Sequence, residues 1–146
     1  MASQAVLYRR LILGVLACYW LAIFTGTHIS QRAVREIEIE VSDKLQHYVA
    51  YAGLAFLLAS FRTCLSPPTV KSFVWLFGLA AAYGAFDEIS QIPVGRDAEF
   101  ADWCADLIGV ATGLTAFAVL WGIVHRLRGG TPSPSLAEAQ ASQERT

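Results

Sequence analysis

The chain is short of charge, of cysteine and of basic surface, and each shortage narrows what it can be. Of its 146 residues only 16% are charged, against about 25% in an ordinary soluble domain. With a mean hydropathy of +0.45, it has too few ionic groups to cover a water-facing exterior. Its three cysteines, Cys18, Cys64 and Cys104, fall in the middle of one apolar block, in a loop and at the far end of another block. Sulfur atoms at opposite ends of the molecule cannot come within disulfide reach, which excludes a disulfide framework and a thiolate zinc site. The net charge is −1, and no basic stretch is interleaved with aromatics, so nucleic acid is excluded as a partner. No internal repeat is present.

What the chain has in excess is apolar residues. They make up 55% of the sequence and are gathered into four blocks, about Leu11–Ile29, Leu45–Phe61, Phe73–Ile92 and Trp103–Val124. Each is close to the roughly 20 residues that an α-helix needs to cross the hydrocarbon core. Lipid offers the backbone no hydrogen-bond partners, so a spanning segment must satisfy itself as a helix. The reading is an all-α integral membrane protein, a four-transmembrane-helix bundle with helices at about 11–29, 43–61, 72–92 and 101–125. These helices form one membrane domain over residues 1–128. Residues 129–146, small, polar and proline-containing, read as a disordered cytoplasmic tail. Arg9 and Arg10 ahead of the first block resemble the start of a signal peptide, but the apolar run is long and no small-x-small cleavage site follows. It is expected to be retained, with residues before Leu11 as a short lead-in.

Orientation follows from the cations. Arg9, Arg10, Arg62, Lys71, Arg126 and Arg128 flank the blocks on one side, while Arg32, Arg35, Lys44 and Arg96 on the other are diluted by Glu36, Glu38, Glu40, Asp97 and Glu99. The positive-inside rule places both termini in the cytoplasm of a multi-pass plasma-membrane protein. The Arg35–Val41 stretch alternates charged and apolar residues, a strand period that suits either the membrane surface or pairing across a homodimer.

Ionisable residues at the helix ends are the unusual feature, since each costs about 3 kcal/mol at membrane depth. Asp43, His47 and Tyr51 share one helical stripe. A carboxylate one turn from an imidazole can hold its tautomer for acid–base work, although Asp43 can equally cap the helix in a box with Gln46. Lys44 suits either an anion or snorkelling toward headgroups. Asp87 and Gln91 share a face, with Glu88 turned about 100° from them. Arg96 follows Gly95 in the turn, and its planar fork suits phosphate or carboxylate. Asp102, Asp106, Gly109 and Gly113 form a narrow stripe, and the GxxxG spacing marks it as a close-packing face. Five acids against Lys44 and Arg96 leave an uncompensated negative charge, to be relieved by protons or by a cation. Such oxygen-rich donors favour Mg²⁺, Mn²⁺ or Ca²⁺ over zinc.

These segments, in this order, resemble the VanZ-like family of small membrane proteins, named for a protein associated with teicoplanin resistance. The resembling stretches are DKLQHYVAYAGLAFLL from Asp43 to Leu58, YGAFDEISQIPVGRDAEFADWCADLIG from Tyr83 to Gly109, and Gly113. The family pattern pairs Asp-Lys-x-x-His and a later tyrosine with Asp-Glu-x-x-Gln, then a Gly-Arg turn and an Asp-x-x-x-Asn-x-x-Gly helix. Asp43, Lys44, His47, Tyr51, Asp87, Glu88, Gln91, Gly95, Arg96, Asp102 and Gly109 stand at those positions. Asp106 departs, replacing asparagine, which adds a charge. The resemblance implies an envelope role at the outer membrane face, with glycopeptide (teicoplanin) susceptibility as the trait to examine.

The expected function is an outward-facing polar pocket that binds an anionic cell-envelope lipid or lipid-linked precursor. Hydrolysis or group transfer would use His47, Asp43, Asp87, Glu88 and Asp102 as acids and bases, with Lys44, Arg96, Gln91, Tyr51 and Asp106 binding the substrate. The alternatives are a non-catalytic lipid-binding or scaffold protein and a proton- or ion-coupled transporter. In cells, cysteines placed at Ser30 and Ser66 should label from outside and from inside respectively. Outside labelling at Ser66 would invert the topology.

Overall fold

Proline and glycine decide where the helices stop. The computed structural model describes residues 2–28 and 42–129, which form four α-helices and a short 3₁₀ helix, with no strand among the described residues. The Arg35–Val41 alternation and the polar segment 130–146 lie outside them. Helix α1 spans Ala2–Thr27, α2 Asp43–Thr63, α3 Val70–Gln91 and α4 Phe100–Gly129. The first helix therefore starts well before Leu11, because the residues from Ala2 to Arg10 contain neither glycine nor proline to interrupt it.

Pro67 and Pro68 hold the α2–α3 link out of helix. Thr69 then caps α3: its side chain accepts from the Ser72 amide at 3.1 Å, while the Ser72 hydroxyl accepts from the Thr69 amide at 2.9 Å. At the other end, Pro93 sits in the 3₁₀ helix Ile92–Val94, and Gly95 takes φ +80. That left-handed conformation strains any residue with a Cβ, and it turns Arg96 back toward the bundle. The N-cap of α2 is Ser42, not Asp43, and it makes no side-chain capping bond. The Asp43 carboxylate is engaged elsewhere.

The most extensive interface joins α2 to α4. These two helices run parallel, with Gly109 against Tyr48 and Gly113 against Ala52 one turn further along both. A Cβ on either glycine would collide with a backbone carbonyl, of Tyr48 or of Ala52, so the GxxxG stripe is the contact itself. Val110, Leu114 and Phe117 on α4 then pack with Leu54, Ala55 and Ala59 on α2 and with Leu76 and Ala80 on α3. Helix α1 lies against α2 and the edge of α3, and its backbone stays apart from that of α4 among the described residues. Its Tyr19 ring occupies the space over Gly53, and the hydroxyl donates to the Ala50 carbonyl at 3.2 Å.

Large apolar side chains point outward from every helix, among them Leu13, Val49, Trp75, Phe86, Ile108 and Val119. The buried set meanwhile includes His47, Asp87, Glu88, Gln91, Asp102 and Asp106, an inversion of the soluble pattern. Two segments, Gln4–Thr27 and Phe100–Gly129, are long and apolar enough to cross a membrane. Helices α2 and α3 fall short of that measure; they carry the buried His47, Asp87, Glu88 and Gln91 and also the exposed Lys44, Gln46 and Lys71.

Gly113→Ala should therefore overpack the α2–α4 seam, at a cost of about 1–3 kcal/mol. Gly122→Ala, where a Cβ meets open space, should be neutral or slightly stabilising. Melting curves in detergent compare the two, and equal melting would remove the close approach as the basis of the fold.

Candidate functional site

Helix α1 ends, α2 begins, α3 ends and α4 begins at the same end of the bundle, and the polar residues collect there. His47 lies in the second turn of α2 and is 3% exposed. Its Nδ1 is 3.0 Å from Asp106 Oδ1 on α4 and 3.5 Å from Glu88 Oε1 on α3. With Nδ1–H donating to Asp106, Nε2 is left as an acceptor. Room for the Asp106 carboxylate comes from Gly84, where a Cβ would stand 2.9 Å from Oδ2. Asp106 Oδ2, Glu88 Oε1 and the Tyr51 hydroxyl are buried without a hydrogen-bond partner among the described residues.

Asp87 is held on both oxygens. Thr27 Oγ1 lies 3.2 Å from Oδ1, and Gln91 Nε2 donates to Oδ2 at 3.2 Å. Next to them, His28 Nδ1 is 2.8 Å from the Phe24 carbonyl and Nε2 is 3.1 Å from Ser90 Oγ. Tyr51, fully buried, stacks on Tyr83 with ring centres 6.0 Å apart.

Both cations of the site are already engaged. Arg96 Nη2 is 2.9 Å from each oxygen of Asp43, and Nη1 donates to the Thr27 carbonyl at 3.3 Å. One guanidinium thus ties the C-terminus of α1 to the N-terminus of α2, a favourable placement for charge at both helix ends. Lys44 Nζ is 3.2 Å from Glu99 Oε2 and 3.3 Å from Asp102 Oδ1. Lys44 precedes the apolar stretch that begins at Leu45. The Glu99 amide donates to Glu88 Oε2 at 3.1 Å, joining the two networks.

A cavity of ≈ 120 Å³ opens between α1 and α2, lined by Ile23, Gly26, Thr27, Asp43, Gln46, His47, Ala50, Tyr51 and Arg96. At roughly 30 Å³ per water, it has space for a few waters or a small polar group. Of the residues expected to form the site, Asp43, His47, Tyr51 and Arg96 line this cavity. Glu88 and Asp106 stand behind His47, Asp87 and Gln91 form a hydrogen-bonded pair on α3, and Lys44 with Asp102 forms a separate ion pair. Two expectations change. The carboxylate that orients His47 is Asp106 and not Asp43, which Arg96 draws to its own side. Lys44 and Arg96 are paired with acids and do not stand open for an anion.

Four residues were missed. Glu99 could have been found as an acid immediately ahead of a helix start, where its carbonyl accepts from the amides of Asp102 and Trp103. Thr27, His28 and Ser90 had no comparable signal, because their role depends on how α1 is set against α3. Comparison with known proteins gives no match: no family model, no curated protein and no solved structure is similar to the chain.

The Arg96 side chain is 10% exposed and that of Asp43 42%, so the pair is partly screened. Asp43→Asn should cost no more than about 1 kcal/mol. Arg96→Leu should cost more, because it also removes the donor to the Thr27 carbonyl. Detergent melting curves of both variants and their combination read the coupling. Equal losses would mean that Arg96 does not hold the end of α1.

Proposed function

We propose that the chain is a four-helix integral membrane protein of the VanZ-like kind, with both termini in the cytoplasm. Its outward-facing pocket binds an anionic cell-envelope lipid or lipid-linked precursor and acts on it by hydrolysis or group transfer. The outward apolar side chains on all four helices support the membrane setting, as does the collection of the polar residues at the end opposite the Arg62–Lys71 loop.

The observation that carries the chemistry is the buried His47–Asp106 contact of 3.0 Å beside the cavity. Asp106 orients the imidazole and stabilises its protonated form, so that Nε2 can take a proton from an attacking water or hydroxyl and return it to the leaving oxygen. Arg96 sits in the cavity wall, and the half-exposed Asp43 is the partner that an incoming phosphate would displace from it. Lys44 is exchangeable from Glu99 in the same way. The engagement of both cations also favours a second reading, binding without turnover, in which those ion pairs persist and the pocket presents a headgroup unchanged.

Lipid and muropeptide profiles of cells carrying wild type, His47→Gln and Asp106→Asn separate the two. Turnover predicts loss of the product species in His47→Gln, by at least about a hundredfold in rate, with teicoplanin susceptibility following. Asp106→Asn keeps an acceptor for Nδ1–H and should retain part of the activity. A His47→Gln profile identical to wild type would remove the catalytic reading.

A further inference from the structure

We propose that His47, Glu88 and Asp106 form a binding site for one divalent cation. The three come from three different helices, α2, α3 and α4, and their ligand atoms all lie within 4.8 Å of one another. None is more than 6% exposed. Two carboxylates buried this deeply need compensating charge. The cations nearby do not supply it, since Arg96 is paired with Asp43 and Lys44 with Glu99 and Asp102. His47 is the basic group in contact with Glu88 and Asp106 among the described residues.

Of the five buried side-chain atoms without a hydrogen bond among the described residues, two belong to this cluster and a third to its neighbour Tyr51; the others are the Tyr83 hydroxyl and Asp102 Oδ1. Glu88 Oε1 and Asp106 Oδ2 are buried without a hydrogen bond, and so is the hydroxyl of Tyr51, the residue one turn beyond His47 on α2. Buried oxygens without a hydrogen bond are expensive in a dry interior, and a coordinated cation or its bound water would satisfy those of Glu88 and Asp106. The spacing also suits coordination. Metal bonds of about 2.1 Å place neighbouring ligand atoms about 3.0 Å apart in an octahedron and about 3.4 Å in a tetrahedron. His47 Nδ1 stands 3.0 Å from Asp106 Oδ1 and 3.5 Å from Glu88 Oε1.

One imidazole nitrogen with two carboxylates is a mixed donor set. The imidazole changes the expectation drawn from the carboxylates alone: the set suits Mn²⁺ or Zn²⁺ better than Ca²⁺ and Mg²⁺, which prefer oxygen, and it contains no soft ligand. Asp43, His47 and Asp102 also approach one another, but Arg96 and Lys44 already neutralise those two acids. The cation would take the place of the proton that His47 and Asp106 share and leave the imidazole N–H on Nε2, so the loaded site does not use His47 as a base, and its charge would turn a net-negative cavity floor into one that accepts an anion. The site itself does not depend on the lipid reading, because it can be measured with no lipid ligand added.

The full-length protein in detergent, stripped of metal, is titrated with Mn²⁺ and followed by electron paramagnetic resonance, with Zn²⁺ and Mg²⁺ compared by their effect on melting. The expected result is one Mn²⁺ per chain, displaced by Zn²⁺, with a raised melting temperature. Glu88→Gln and Asp106→Asn, which keep shape and hydrogen-bonding capacity, should each weaken Mn²⁺ binding by at least about tenfold. Asp97→Asn, an exposed acid in the α3–α4 link, should not change it. Gel filtration and circular dichroism of the variants confirm that a loss is read on folded protein. Wild type that fails to bind Mn²⁺ or Zn²⁺ at millimolar concentration would overturn the proposal. So would binding unchanged in both variants, and neither result would bear on whether the pocket takes a lipid.

Discussion

The contact of two helix backbones across Gly109 and Gly113 is the constraint on which the rest of the molecule rests. Small residues let α2 and α4 approach until carbonyls of Tyr48 and Ala52 fill the space that side chains would otherwise occupy. That approach sets the register between the helices within one turn. His47 precedes Tyr48, and Asp106 lies one turn before Gly109, so the backbone contact delivers the imidazole to the carboxylate. Larger residues on the stripe would move the two helices apart and separate the imidazole from the carboxylate. Parallel packing has a second effect: the N-termini of α2 and α4 lie at the same end, and the positive ends of both helix dipoles face the acids gathered there.

Charge at this end is organised in two layers. An outer one pairs Asp43 with Arg96 and Lys44 with Glu99 and Asp102, near water, where ion pairs exchange at little cost. An inner one of His47, Glu88 and Asp106 has no lysine or arginine in contact among the described residues. The outer layer is mechanical as well as electrostatic, since Arg96 also grips the last carbonyl of α1. Gly95, the residue in the left-handed region, is what lets the chain reverse and bring that arginine in.

Patterns along one helix were legible in the sequence, and relations between helices were not. Helical periodicity placed Asp102, Asp106, Gly109 and Gly113 on one stripe, and all four are buried. It placed Asp87 with Gln91, and they are hydrogen-bonded. It also put Asp43 one turn from His47, which is correct as spacing and misleading as chemistry. Whether a side chain at that spacing meets its neighbour depends on what the next helix offers, and Arg96 offered Asp43 a stronger partner. Thr27, His28 and Ser90 escaped for the same reason: each acts across an interface whose rotation no local pattern encodes. The lower hydropathy of α2 and α3 shows the converse. Several of the residues that make these helices less apolar, His47, Asp87, Glu88 and Gln91, are ones the bundle buries.

The pairing of α2 with α4 also has a consequence for biosynthesis. A chain made from its N-terminus releases α2 before α3, and α3 before α4, so the helix that covers the polar stripe of α2 is the last to arrive. Until then His47 has no Asp106, the carbonyls of Tyr48 and Ala52 have no glycine face against them, and α2 is the least apolar partner of a helical hairpin. Among the described residues, α4, the longest of the four helices, is thus the element whose arrival covers this stripe. The seam and the imidazole contact both need α4, so neither can form before it is made.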